Sequence, residues 1–148
     1  MTGLETKARE LFEDYGRISN EALEDPSSMD IDRMTAFFAA YCVGSTPQGV
    51  FGGPNDEKFH EVIPQGFAHY RNVGGKEMRI TGISVTPLND LHAVAEVGWD
   101  FAYVNKAGAS GNIRFTNFYF ITFADGQARI FAYVTGDEEK AMKDHGLV

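Results

Sequence analysis

The chain has 148 residues, 43% of them hydrophobic and 23% charged, with a formal net charge of -8. That size and balance fit one ordinary globular domain spanning 1–148 and exclude a disordered chain. No run of Lys and Arg offsets the acidic total, so neither a nucleic-acid backbone nor an anionic membrane surface is an expected partner.

The first segment reads as a helix. Leu4, Ala8, Leu11, Phe12, Tyr15, Ile18 and Ala22 recur at three- and four-residue steps, which gives one apolar face. Thr2 and Glu5 have capping-box spacing, and Asp25-Pro26-Ser27-Ser28 breaks the helix. Asp30 or Asp32 then caps a second short helix with a stripe of Ile31, Met34, Phe37, Phe38 and Tyr41, ended by Gly44-Ser45-Thr46-Pro47. Gly49 to Pro54 reads as a loop or a very short strand. A third helix starts at Asn55 or Asp56 and carries Phe59, Val62, Ile63, Phe67 and Tyr70 on one side. Pro64 should kink it and Gly74-Gly75 should stop it.

The period then changes to two. Strands are predicted over Met78–Pro87, His92–Val104, Ile113–Phe123 and Ala128–Thr135, with a hairpin signal at Asp125-Gly126. Asp137 to His145 reads as a short polar helix or tail. Helices first and an antiparallel meander afterwards predict an α+β fold.

This order resembles the nuclear-transport-factor-2-like (SnoaL-like, ketosteroid-isomerase-like) superfamily. The resemblance is carried by Phe37-Phe38-Ala39-Ala40-Tyr41, by Ala95-Glu96-Val97-Gly98-Trp99 and by the hairpin Phe123-Ala124-Asp125-Gly126-Gln127-Ala128-Arg129-Ile130. It implies three N-terminal helices packed on a curved antiparallel sheet, forming a cone with an internal pocket. In ketosteroid isomerase, a member, a tyrosine donor lies on the first helix, where Tyr15 stands here. The places of its two acids fall at about Thr46 and Phe118, neither of which can serve, so the resemblance does not carry that mechanism over. The superfamily includes enzymes and binding modules, so fold alone does not give function.

Alternation sorts each strand into two sets but leaves open which set faces the helices. The isomerase's register implies that Glu96, Gly98, Asp100, Thr116, Phe118, Phe131 and Tyr133 face inward. Trp99, Phe101, Tyr119 and Ile121 would then form an outer aromatic face, through which a homodimer is expected. The reverse assignment, with the Trp99 set as core, satisfies alternation equally.

Under the first assignment Asp100 and Tyr15 are the candidate catalytic residues. Tyr41, Glu96, Arg114, Thr116, Phe118, Phe131 and Tyr133 are the candidate ligand-binding residues. Desolvation would suit Asp100 to acid–base work, whereas Arg114 on the next strand could hold it ionised as a structural pair. Glu96 and Asp100 are roughly 13 Å apart along one strand, too far to share a proton.

His60, His69, His92 and His145 show no metal-ligand spacing, so no metal and no cofactor are expected; His69 is placed toward the pocket mouth. Cys42, the one cysteine, reads as a buried small hydrophobe and fits a cytoplasmic setting. The N-terminal run is charged from the start, so no leader is expected, and no apolar stretch is long enough to span a bilayer. The expected function is a pocket for a small apolar, oxygen-bearing molecule, as a cofactor-free isomerase, dehydratase, cyclase or hydrolase. The alternative is a non-catalytic ligand-binding or assembly module.

Overall fold

The computed structural model describes residues 3–148; Thr2 of the expected capping box lies outside them. Helix α1, Gly3–Glu24, buries Ala8, Leu11, Phe12, Ile18, Ala22 and Leu23, the face set by the sequence spacing. The Asp25 carboxylate accepts the Ser27 N–H at 3.0 Å and starts a single 3₁₀ turn at Pro26–Ser28. Helix α2, Ile31–Thr35, is capped by Asp30, which accepts the Arg33 N–H at 3.1 Å.

The expected second helix stops there. Phe38–Thr46 is strand β1, with Phe38, Cys42 and Gly44 buried and Tyr41 and Val43 exposed. A short aromatic and aliphatic run fits both periods, and the pairing partners on either side decide for the strand. Gly49–Pro54 is a full strand, β2, in antiparallel register with β1. Helix α3, Glu57–Asn72, starts at the Asp56 cap and runs through the exposed Pro64 without ending. The long strands are β3 (Gly75–Pro87), β4 (His92–Val104), β5 (Ser110–Thr122) and β6 (Arg129–Val134). Helix α4, Glu138–Asp144, follows with Asp137 as its cap.

The sheet order is β2-β1-β6-β5-β4-β3. Its pairs are antiparallel except β1–β6, which is parallel, so the sheet is mixed. Between β5 and β6 the register slips: Phe120 faces Ala132 but Ile121 faces Ile130, which makes Phe131 the extra residue of a bulge. Helix α1 lies across β3. The Asn20 carboxamide oxygen accepts the Met78 N–H at 2.8 Å, and Arg71 of α3 donates to the Ala22 carbonyl at 2.7 Å. These bonds tie both long helices to one face of the sheet, and the core lies between.

That face carries Val97, Trp99, Phe101 and Tyr103 of β4 and Ile113, Tyr119 and Ile121 of β5, all buried. The rings of Phe12 and Tyr119 lie 4.9 Å apart and those of Tyr15 and Trp99 6.0 Å. The register implied by the resemblance is therefore reversed. Covering the large aromatic set removes far more apolar surface from water than covering Glu96, Gly98 and Asp100 would. Trp99, Phe101, Tyr119 and Ile121, expected on an outer dimer face, are core.

Candidate functional site

The inner face keeps a small space at the end where α4 crosses it. A cavity of about 70 Å³ lies between Phe101, Phe115 and Asn117 of the sheet, Tyr70 of α3, and Glu138 and Met142 of α4. Helix α4 is fastened by the buried Met142 and Leu147, by a 3.0 Å bond between the Tyr103 hydroxyl and His145 Nδ1, and by Gln48 Nε2 donating to Asp137 at 3.4 Å. His69, Tyr70, Glu138 and Met142 line a separate cleft of about 200 Å³. A larger groove of about 480 Å³ opens between the β1–β2 hairpin and α3, walled by Phe51, Phe59, Val62, Cys42 and Tyr133.

Four tyrosines converge on this interior. Trp99 Nε1 and Asn117 Nδ2 each donate to the Tyr119 oxygen at 3.2 Å. Tyr15 stands edge-on to Phe37, Phe38 and Trp99. Tyr133 is directed inward because β1 presents Gly44 opposite it; a Cβ there would overlap the Tyr133 ring. Burial pushes the Tyr15 and Tyr70 hydroxyls well above the ordinary tyrosine value, with the Glu138 charge adding to both. Burial also raises Tyr119, against the two bonds it accepts, and Tyr133. The Cys42 thiol is pushed up to about 11 by burial. At neutral pH these groups keep their protons, so each hydroxyl is a potential hydrogen-bond donor.

Of the sequence-predicted site residues, Tyr15 and Tyr133 lie on the inner side, but neither lines the cavity: Tyr15 is packed in the core and Tyr133 walls the groove beside the β1–β2 hairpin. The others lie on the opposite face of the sheet. Asp100 is buried there, 6% exposed, accepting from Asn112 Nδ2 at 2.8 Å with Arg114 Nε at 3.6 Å and Arg79 opposite on β3. Arg114 is thus beside Asp100 as a cross-strand pair, with no share in the cavity. Glu96, Thr116 and Phe118 are exposed on that outer face, as is Tyr41. The bulge turns Phe131 outward against His92 and Phe120, with ring centroids 6.1 Å away in each case. Their inward placement is thereby corrected. For Glu96, Asp100, Arg114, Thr116 and Phe118 the reason is that a one-residue shift of register exchanges the two faces of a strand. Phe131 is turned out by the bulge while Tyr133 keeps its inward place, and Tyr41 is turned out as part of β1 and not of a helix.

Sequence reasoning did not single out Tyr70, Asn117, Tyr119 or Glu138. Their signal was the polar tips within the apolar set of each element, Asn117 and Tyr119 among the inward residues of β5 and Tyr70 on the α3 stripe. Glu138 had no local signal, since only the crossing of α4 brings it to Tyr70. Among the described residues no group of three or more His, Cys, Asp and Glu side chains could hold a metal ion, and no helix is long and apolar enough to cross a membrane.

No family model and no curated protein matches the chain. Solved structures do. Aln2 from a Streptomyces species superposes with a TM-score of 0.63 at 13% identity, covering 97% of both chains. A ketosteroid isomerase-like protein from Erwinia carotovora atroseptica gives 0.58 at 16% identity over 89% of this chain and 91% of its own. An NTF-2 like protein of unknown function from Shewanella oneidensis gives 0.59 at 13% identity over 88% and 99%. With helices on one face of a six-stranded mixed sheet and these structures as its neighbours, the chain has the nuclear transport factor 2-like fold.

Proposed function

We propose that this protein binds a small apolar, oxygen-bearing molecule among the tyrosines of the inner face and acts on it by cofactor-free acid–base chemistry, as an isomerase, dehydratase, cyclase or hydrolase would. The observation that carries the reading is the Glu138 carboxylate beside Tyr70, at the edge of a mostly apolar cavity. Asp137, the other carboxylate at the cavity, is occupied as the α4 cap, accepting the Lys140 N–H at 3.0 Å. In this reading Glu138 takes a proton, and the protonated Tyr70 hydroxyl, the one tyrosine among the residues lining the cavity, stabilises charge that develops on a ligand oxygen. The likeness to a ketosteroid isomerase-like protein supports a fold able to host such chemistry.

The cavity holds on the order of five water positions, about the bulk of a six-heavy-atom molecule. Cyclopentanone is a fitting probe. Its α-protons should exchange in deuterium oxide faster with the protein than in buffer, read by proton NMR, and Glu138→Gln should slow this by about 10²-fold or more. Exchange no faster than in buffer would reject the catalytic reading. The second reading, a binding or assembly module, is favoured by one observation: the cavity, at about 70 Å³, is far below the roughly 300–1,000 Å³ of an ordinary ligand pocket.

A homodimer through the outer sheet face remains part of the proposal, with a different set of residues from the one read off the sequence. Tyr41, Val43, Phe118 and Val134 are exposed there, Tyr41 at 57% and Phe118 at 40%, beside the half-buried Phe120 and Phe131. A contiguous apolar surface of this kind is usually covered. Sedimentation should show a dimer that Phe118→Lys converts to monomer; a wild-type monomer at high protein concentration rejects it. The single thiol, buried and with no cysteine to pair with, accords with a cytoplasmic setting.

A further inference from the structure

The groove between the β1–β2 hairpin and α3 has the size that the α4 cavity lacks: about 480 Å³, within the roughly 300–1,000 Å³ of an ordinary small-molecule pocket. It is open because three glycines line it, Gly44 on β1 and Gly52 and Gly53 on β2. Gly53 pairs with Cys42, so a side chain there would share the face on which Cys42 is buried, and a Cβ built on Gly53 meets nothing within 4 Å. Two of the walls are phenyl rings: the exposed Phe51 of the hairpin, and Phe59 of α3, whose ring lies 5.3 Å from that of Phe38. With Val62 they leave a concave apolar surface of the kind an occupant covers. The exposed Asp56 and Lys58 carry opposite charges that cancel, and Asp56 is engaged as the α3 cap, accepting the Phe59 N–H at 3.2 Å. In a chain of net charge -8, a groove so balanced favours a neutral ligand over a carboxylate. The hydroxyl end of the Tyr133 ring lies over Gly44, and both residues line the groove. Among the described residues no hydrogen bond uses that hydroxyl. Burial raises Tyr133 and pushes the Cys42 thiol up to about 11, so both keep their protons at neutral pH. Both have a proton to offer, which suits a ligand that brings an acceptor.

We propose that this groove is a binding site for a neutral aromatic molecule with a carbonyl-type oxygen, its ring against Phe51 and Phe59 and its oxygen accepting from the Tyr133 hydroxyl. Aromatic walls favour an aromatic ring through edge and offset contacts as well as through buried area. The inference goes beyond the acid–base reading of the α4 cavity and does not depend on it, because Tyr133 lines the groove and not that cavity.

Three benzene derivatives of similar bulk test this in ligand-observed NMR titrations of the full chain: acetophenone (neutral acceptor), benzoate (anionic acceptor) and ethylbenzene (neither). Acetophenone should bind most tightly. Tyr133→Phe should weaken it about tenfold and leave ethylbenzene unchanged. Gly53→Leu, which puts a side chain into the open space on the edge strand β2, should abolish binding of both neutral rings. Equal binding of acetophenone to wild type and Gly53→Leu, an acetophenone affinity that survives Tyr133→Phe, or no binding of acetophenone at all overturns the proposal. A far-UV circular dichroism spectrum shows whether each variant is folded, and where Gly53→Leu is not, Tyr133→Phe decides. Cyclopentanone exchange reads the α4 cavity separately: its absence with acetophenone bound rejects the acid–base reading alone, and the converse rejects the groove alone.

Discussion

Replacing Phe12 with Ala should lower the unfolding free energy by about 3–5 kcal/mol, seen as a fall in the urea midpoint. Phe12 is completely buried on the inward face of α1, and its ring lies 4.9 Å from that of Tyr119 and 6.2 Å from that of Tyr15. Removing it deletes the contact through which α1 presses on β5 and leaves a void beside the tyrosine cluster. The surrounding backbone is held by the bond from Met78 of β3 to Asn20 of α1 and by Arg71 of α3 donating to Ala22 of α1, so the helix has little freedom to settle into the gap. The change should also alter Trp99 emission, because Tyr119 carries the acceptor for the indole N–H. A variant with an unchanged midpoint would mean that α1 is not held on the sheet as the structure has it.

Gly74→Ala should destabilise by about 3 kcal/mol or more, from a position with no catalytic or ligand contact. Gly74 adopts φ of +106°, where an L side chain alone costs roughly 1–3 kcal/mol. A Cβ there would also overlap the Val104 carbonyl oxygen. That oxygen cannot move away cheaply, because the Val104 N–H donates to the Gly74 carbonyl at 2.9 Å and fixes the end of β4 against the start of β3. Thermal denaturation checks this, with Gly126→Ala as a comparison: Gly126 has φ of +87° but open space around it. The difference between the two variants isolates the steric part, and equal losses would show that backbone conformation alone matters at Gly74.

The elements that the sequence made legible share a physical character. Strand β4 was read with its observed ends, because thirteen residues alternate and turn residues bound them. Helix α3 was legible from its Asp56 cap and four-residue spacing. Strand β1 was not, because Phe37 to Val43 satisfies a helical stripe and an alternating strand alike. Its choice comes from β2 and β6, which lie on either side of it. The bulge at Phe131 was equally hidden, since an extra residue in one strand is visible only against its partner.

What the sequence determined by itself is the order of helices before strands, the α+β class, and the division of each strand into an apolar and a polar set. These depend on spacing along one element, and local chemistry suffices for that. Which set turned inward, and so which residues could form a site, was decided by the tertiary structure. Burying Trp99, Phe101, Tyr119 and Ile121 under α1 and α3 outweighs any arrangement that brings Asp100 and Glu96 inside. The site itself needed the chain's last helix: Glu138 becomes a cavity residue only because α4 folds back over the sheet beside Tyr70. No spacing within a segment encodes a meeting between residues so far apart in the chain.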